Sequence, residues 1–173
     1  GAPVVKTHPA AFELADKVAA ERPGTVLLAT TGTANTAFVQ AFRAKAQGVP
    51  LAGLSVTVVA SEMPKLAAST RGMALVQVFP DATSQKSVVV RKFQTTMKAV
   101  GANPAYLTSG SALEGWLNGQ IMIEGLKNAG KDLTRERLRA GLANIRGLSF
   151  GDFSVGFGGK APYIGSDAIY LAV

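Results

Sequence analysis

Three short, unbroken apolar runs alternate with amphipathic stretches in the first half of the chain, and this alternation restricts the fold more than any other feature. The runs are Thr25–Thr30, Leu51–Ser55 and Met73–Phe79. Each is too short for a buried helix and too continuous for a half-exposed strand. Each therefore reads as a strand, and the first, Thr25–Thr30, as one covered on both faces, as in parallel sheets. Ahead of the first run, Ala11 to Glu21 places Phe12, Ala15, Val18 and Ala19 on one helical face, and Arg22, Pro23 and Gly24 end it. After it, Phe38, Val39, Phe42 and Ala46 share a second helical face, with Gly48 placed to act as a left-handed cap. Glu62 to Ser69 reads as a short helix and Pro3 to Thr7 as a short strand. Strand–helix alternation of this kind predicts an α/β fold with a parallel sheet.

Beyond Phe79 the pattern changes. Pro80 to Lys86 is polar and reads as a linker. Val89, Phe93, Met97 and Val100 then share a helical face that Gly101 closes. Pro104 precedes a long helical run, Tyr106 to Gly130, with Leu113, Leu117 and Ile121 on one stripe and Trp116 and Ile123 beside it. Gly115 and Gly119 in this run suit close packing of the helix against a sheet. A shorter helix, Asp132 to Leu142, has Thr134 as N-cap and turns Leu138, Leu142 and Ile145 inward. The period then becomes two: Phe153 to Phe157 and Ala168 to Val173 read as a β-hairpin, with Gly158, Gly159 and Pro162 in its connection.

With 47% hydrophobic and 17% charged residues, the 173-residue chain has the composition of a folded protein. No apolar run is long enough to span a bilayer as a helix. The chain begins at Gly1 and reads as a processed or excised piece, so a missing signal peptide says nothing about destination. The absence of cysteine excludes disulfides, thiol catalysis and thiolate metal sites. The net charge of +7 raises the question of nucleic acid or acidic membranes. Its densest cluster, Arg135, Arg137 and Arg139, is interleaved with Leu138 and Leu142, as on the wet face of a packed helix. No aromatic residues alternate with these arginines to stack bases, so a nucleic-acid partner is not expected.

The chain offers little for catalysis. His8 is the only histidine, and no Gly-x-Ser-x-Gly motif is present. One His, no Cys and scattered acids give no metal site, and no cofactor motif is present. The strongest site signal is the end of the first apolar run. There Thr31, Gly32, Thr33 and Thr36 lead into a helix whose N-terminus offers free N–H groups to an anion. The next strand end, Gly53 to Thr57, is equally rich in hydroxyls. In open α/β sheets ligands sit beyond the carboxyl ends of strands. Thr31, Gly32, Ser55 and Thr57 are therefore the candidate ligand-binding residues, set against ordinary helix capping and loop solvation. Two such strand ends without a charged catalyst favour holding a ligand over transforming it.

The runs Arg22–Leu28, Phe38–Gly48, Gly72–Pro80 and Val90–Ala99 resemble the C-terminal half of periplasmic solute-binding proteins of the leucine/isoleucine/valine type. The pattern Ala105–Gly115, with Leu133–Leu138 and Gly151–Phe157, extends the resemblance over nearly the whole chain. It implies a type I periplasmic binding fold, with two α/β lobes closing on a small-molecule ligand delivered to the permease subunits of an ABC transporter in the bacterial periplasm. By the same resemblance, residues 1–79 belong to the second lobe without its opening strand and helix. Residues 80–85 would be a hinge crossing, residues 86–148 first-lobe helices, and residues 149–173 a returning hairpin. The helices at 87–100 and 109–129 would then need covering by a missing N-terminal lobe or a second chain. The family's amino-acid binders carry an acidic residue where Ser55 stands, so a carboxylate-bearing ligand without an amine is an alternative to a branched-chain amino acid or amide. A ligand-sensing domain of the same fold, or a small α/β enzyme, are the competing readings.

Overall fold

The computed structural model describes residues 8–57 and 66–172. The strand expected at Pro3 to Thr7 and the first four residues of the helix expected at Glu62 to Ser69 lie outside them. The remainder of that helix is Leu66 followed by a 3-10 turn at Ala67–Thr70. The chain forms two compact units, Gly1–Gln77 with Leu171–Val173, and Val78–Tyr170.

In the first unit, α1 (Pro9–Ala20), β1 (Val26–Leu28), α2 (Thr33–Lys45), β2 (Leu51–Leu54) and β3 (Met73–Gln77) follow in order. The strands form the expected parallel sheet, β1 beside β2 beside β3, and β6 (Tyr170–Ala172) is the next neighbour of β3. The register aligns Val26, Leu51 and Met73, and one step later Leu28, Gly53 and Leu75. Alternate residues point to the same face of a strand, so these rows form one side of the sheet. That side packs on Ala11, Ala15, Phe38, Val39 and Phe42 from α1 and α2. Full burial of Phe42 contributes about 1.5–3 kcal/mol. The opposite side carries Leu27, Ala52 and Ala74, then Leu54 and Val76. Leu27 is 71% exposed. The expectation that the first run is covered on both faces is thus corrected: α1 and α2 share a single core on one side.

Gly48 does not act as the left-handed cap expected of it. The helix ends earlier, at Lys45, with Ala46 as C-cap and its N–H on the Phe42 carbonyl, and Gly48 is not among the residues with positive φ.

The second unit holds α3 (Val88–Ala99), a 3-10 turn at Pro104–Thr108, α4 (Gly110–Ala129), α5 (Arg135–Ala143), β4 (Leu148–Ser149) and β5 (Ser154–Val155). Side-chain caps start each helix. Ser87 accepts from the Val90 N–H, Ser109 from Ala112 and Thr134 from Arg137. Gly101 and Gly130, at φ 67° and 78°, close α3 and α4 as expected. The core joins Val89, Val90 and Phe93 of α3 to Leu113 and Leu117 of α4 and to Phe150, Phe153 and Val155. Most of the stripe of α3 is therefore covered within the unit, while Val100, at the end of the helix, is 73% exposed. On α4, Met122, Ile123 and Leu126 remain exposed.

Three further findings depart from the sequence reading. The hairpin at the end of the chain is composed differently: β5 pairs antiparallel with β4, not with β6, which joins the sheet of the first unit. The cause is a tight turn at residues 150–153. Gly151 adopts φ 110° and the Phe150 N–H meets the Phe153 carbonyl at 2.8 Å, so the chain folds back at once. Second, a Cβ at Gly115 or Gly119 would touch nothing within 4 Å, so neither packs against a sheet. The close approach lies further along, where Gly125 abuts Leu142 and Gly141 abuts the Gly125 carbonyl. Third, the polar segment at residues 80–86 is strapped to α3. The buried Gln94 donates to the Ala82 and Leu107 carbonyls, both at 3.0 Å, and Arg91 donates to the Gln85 and Lys86 carbonyls.

Candidate functional site

Because β1 and β2 run parallel in register, the loops after Leu28 and Leu54 leave the sheet at the same edge. Asn35, in the first turn of α2, ties these loops together. Its amide donates to the Thr30 carbonyl at 2.6 Å and to the Thr57 carbonyl at 3.0 Å, and its oxygen accepts from the Thr30 hydroxyl. Thr57 makes the second tie. Its hydroxyl donates to the Leu28 carbonyl at 3.1 Å and accepts from the Leu54 N–H at 3.0 Å. Gly53 is needed for this arrangement, because a Cβ there would lie 3.0 Å from the Thr57 hydroxyl.

The four residues singled out from the sequence thus gather at one sheet edge in two different situations. Thr31 is exposed, while Gly32 and Ser55 are half-buried. Ser55 is held by its backbone, its N–H meeting the Val76 carbonyl at 2.9 Å, and its half-buried side chain takes no part in the ties made by Asn35 and Thr57. Thr57 is fully buried with its hydroxyl occupied on both sides. It anchors the loops rather than presenting a group to a ligand.

Gly32 is the N-cap of α2 at φ 95° and brings no side chain to cap the helix. The Asn35 N–H is satisfied by the Gly32 carbonyl. The Thr33 and Ala34 N–H groups find no partner among the described residues. Unpaired first-turn N–H groups and the helix dipole together favour a negative or carbonyl oxygen. The Thr33 hydroxyl meets His8 Nε2 at 2.9 Å, so the single histidine stands beside this loop. Among the described residues, no group of three His, Asp or Glu gathers as a metal site would require.

Sequence reasoning missed Asn35, and it set His8 aside as a catalyst without placing it beside this loop. A signal for Asn35 existed: it lies three and seven residues ahead of Phe38 and Phe42, on the buried stripe, where a polar side chain needs internal partners. Nothing local marks His8, whose contact spans 25 residues.

Residues 5–164 match the family described as periplasmic binding protein. Among solved structures, the chain is similar to an extracellular ligand-binding receptor from Verminephrobacter eiseniae, with 27% identity and a TM-score of 0.78 over 94% of this chain and 46% of the other. It is also similar to a substrate-binding periplasmic protein from Ralstonia solanacearum, with 28% identity and a TM-score of 0.77 over 92% of this chain and 45% of the other. A solute binding protein of an ABC transporter from R. palustris, in complex with benzoate, shares the fold at 21% identity and a TM-score of 0.69, over 92% of this chain and 42% of the other. The chain spans less than half the length of each of these structures. No curated protein matches the chain.

Proposed function

The chain belongs to the periplasmic binding protein family, and on that premise we propose that it captures a small organic solute at the strand-end loops of the first unit and passes it, unaltered, to the permease subunits of an ABC importer. The reading places the protein outside the cytoplasm. It assigns β1 to β3 and β6 to one lobe, the helices α3 to α5 to the other, and the segment Pro80 to Gln85 to the crossing between lobes. Thr31, Gly32 and Ser55 form the displayed wall, and Thr57 holds it.

The observation that carries the proposal is the make-up of that wall. It offers hydroxyls from Thr31 and Ser55 and the Thr33 and Ala34 N–H groups, which have no partner among the described residues, on loops fixed by Asn35 and Thr57. These donors suit a carboxylate or amide oxygen. An ammonium in a partly dry site needs an acceptor charge, and Ser55 supplies none. Within the class of branched-chain amino acids and related acids and amides, the wall therefore favours an acid or amide without a free amine. Binding acts by shifting an open–closed equilibrium, to the extent that the solute has higher affinity for the closed state.

Calorimetric titration of the chain with leucine, isoleucine and valine, with the matching 2-oxo and aliphatic acids, and with aromatic acids tests this reading. Saturable binding of an acid, weakened by Thr31→Val and by Ser55→Ala, is expected. An absence of saturable binding across the panel overturns it, as does binding indifferent to both substitutions.

A further inference from the structure

His8 reaches the candidate wall from outside the two loops that form it. It is the N-cap of α1, but its side chain makes no capping bond to that helix. Pro9 follows at the first helical position, where a missing N–H costs nothing. Ala11, in the first turn of α1, is buried in the core that α2 shares, so the two helices start side by side. The imidazole, unused by its own helix, meets the Thr33 hydroxyl through Nε2 at 2.9 Å and is half-buried there.

The loops themselves, residues 29–35 and 55–57, hold no charged side chain, and neither do β1, β2 and β3. Among the described residues, His8 is the one ionisable group hydrogen-bonded to these loops. The charged groups of the adjoining helices are engaged elsewhere or stand further along. Asp16 of α1 pairs with Lys45 of α2 at 2.8 Å, and Arg43 donates to the Ser69, Gln47 and Val49 carbonyls. Glu13 and Lys17 are exposed, further along α1. Histidine is the side chain whose charge changes between about pH 5 and 8. His8 can therefore give the wall a positive charge that its loops lack.

On the reading that this wall captures an organic solute, we propose that His8 is its specificity-determining residue, which as an imidazolium selects a carboxylate over the matching neutral amide. The charged ring donates from Nε2 to the Thr33 hydroxyl oxygen and leaves the Thr33 proton for an oxygen of the solute. Its charge adds to the field at the start of α2, where the Thr33 and Ala34 N–H groups have no partner among the described residues. An ionised acid gains from the donors and from the charge, an amide from the donors alone. A solute with a free ammonium is set back, because like charges repel. The preference of the wall for acids thus rises as pH falls.

Calorimetry with two acid–amide pairs tests this, isovalerate with isovaleramide and phenylacetate with phenylacetamide. Each compound is titrated at about pH 6 and about pH 8, either side of the ordinary histidine value. For the pair that binds, the acid should gain roughly threefold to fivefold over its amide at the lower pH, as for a partly exposed ion pair. His8→Gln, which keeps a donor for Thr33, should make that ratio independent of pH while leaving thermal unfolding at the higher pH as in the parent. His8→Lys should hold the larger ratio at both pH values. A parent ratio that does not move with pH, or one that moves equally in His8→Gln, overturns the role of His8 and leaves solute capture standing. Absence of saturable binding by all four compounds overturns both.

Discussion

Thr57 is the residue on which the geometry of the candidate wall depends most. Replacing it by Val keeps its shape but leaves the buried Leu28 carbonyl and the part-buried Leu54 N–H without their shared partner. We expect a loss of about 1–3 kcal/mol of unfolding free energy by urea titration, and recovery of most of it with Thr57→Ser. Asp152 gives a pH-dependent counterpart. Burial, the largest influence, pushes its carboxyl up, but hydrogen bonds from the Val89 N–H at 2.9 Å, the Ser87 hydroxyl and nearby backbone outweigh it and hold the group below its ordinary range. A carboxyl depressed in the folded state stabilises the fold above its unfolded pKa, and that contribution fades as pH falls through the folded pKa. Asp152→Asn should therefore lower the melting temperature at pH 7, with the gap from the parent closing in acid. At this scale the hydroxyl-rich character of the two strand ends was legible, because Thr and Ser announce themselves. The anchors were not. Thr57 reads like Ser55 in sequence, and only the return of β1 beside β2 shows which hydroxyl is enclosed.

Among the elements, the glycines of α4 and α5 separate into two kinds. Gly141→Ala drives a methyl into the α4 backbone and should cost about 1–3 kcal/mol. Gly119→Ala meets open space and should gain about 0.5–1 kcal/mol from helix propensity. Thermal unfolding of the two variants checks the contrast, and equal effects would contradict the packing described. Spacing in the sequence singled out the wrong pair, because Gly-x-x-x-Gly says that an approach is allowed but not that a partner arrives. The caps at Thr134, Gly101 and Gly130 were read well, since they act through bonds within a few residues, whereas the one expected at Gly48 failed because the helix stops earlier, at Lys45. The hairpin was misread because period-two alternation at Phe153 and Val155 names strands but not their partners, and the turn at Gly151 decides the pairing.

At the scale of the whole molecule, the order of strands and helices in the first unit was legible down to the parallel sheet. The exposed side of that sheet was not, because an apolar run looks the same whether one face or two are covered. Leu27 and Leu54 lie on that side. If the strand-end wall binds an acid, the effect must appear in global stability. A solute present at about a hundred times its dissociation constant adds roughly 2.7 kcal/mol, so the melting temperature should rise with acid concentration, and Ser55→Ala should blunt the rise without lowering the unliganded value. The arrangement at Thr57 has one more consequence. The residue that ties the loops, Thr57, and the candidate contact, Ser55, lie two positions apart, so Ser55 can be exchanged while the ties that set the loop's course stay in place. On the proposed reading, a single codon change at Ser55 would redirect what the wall prefers without disturbing the sheet beneath it, which would make this loop a point where a lineage of such proteins can diversify by small steps.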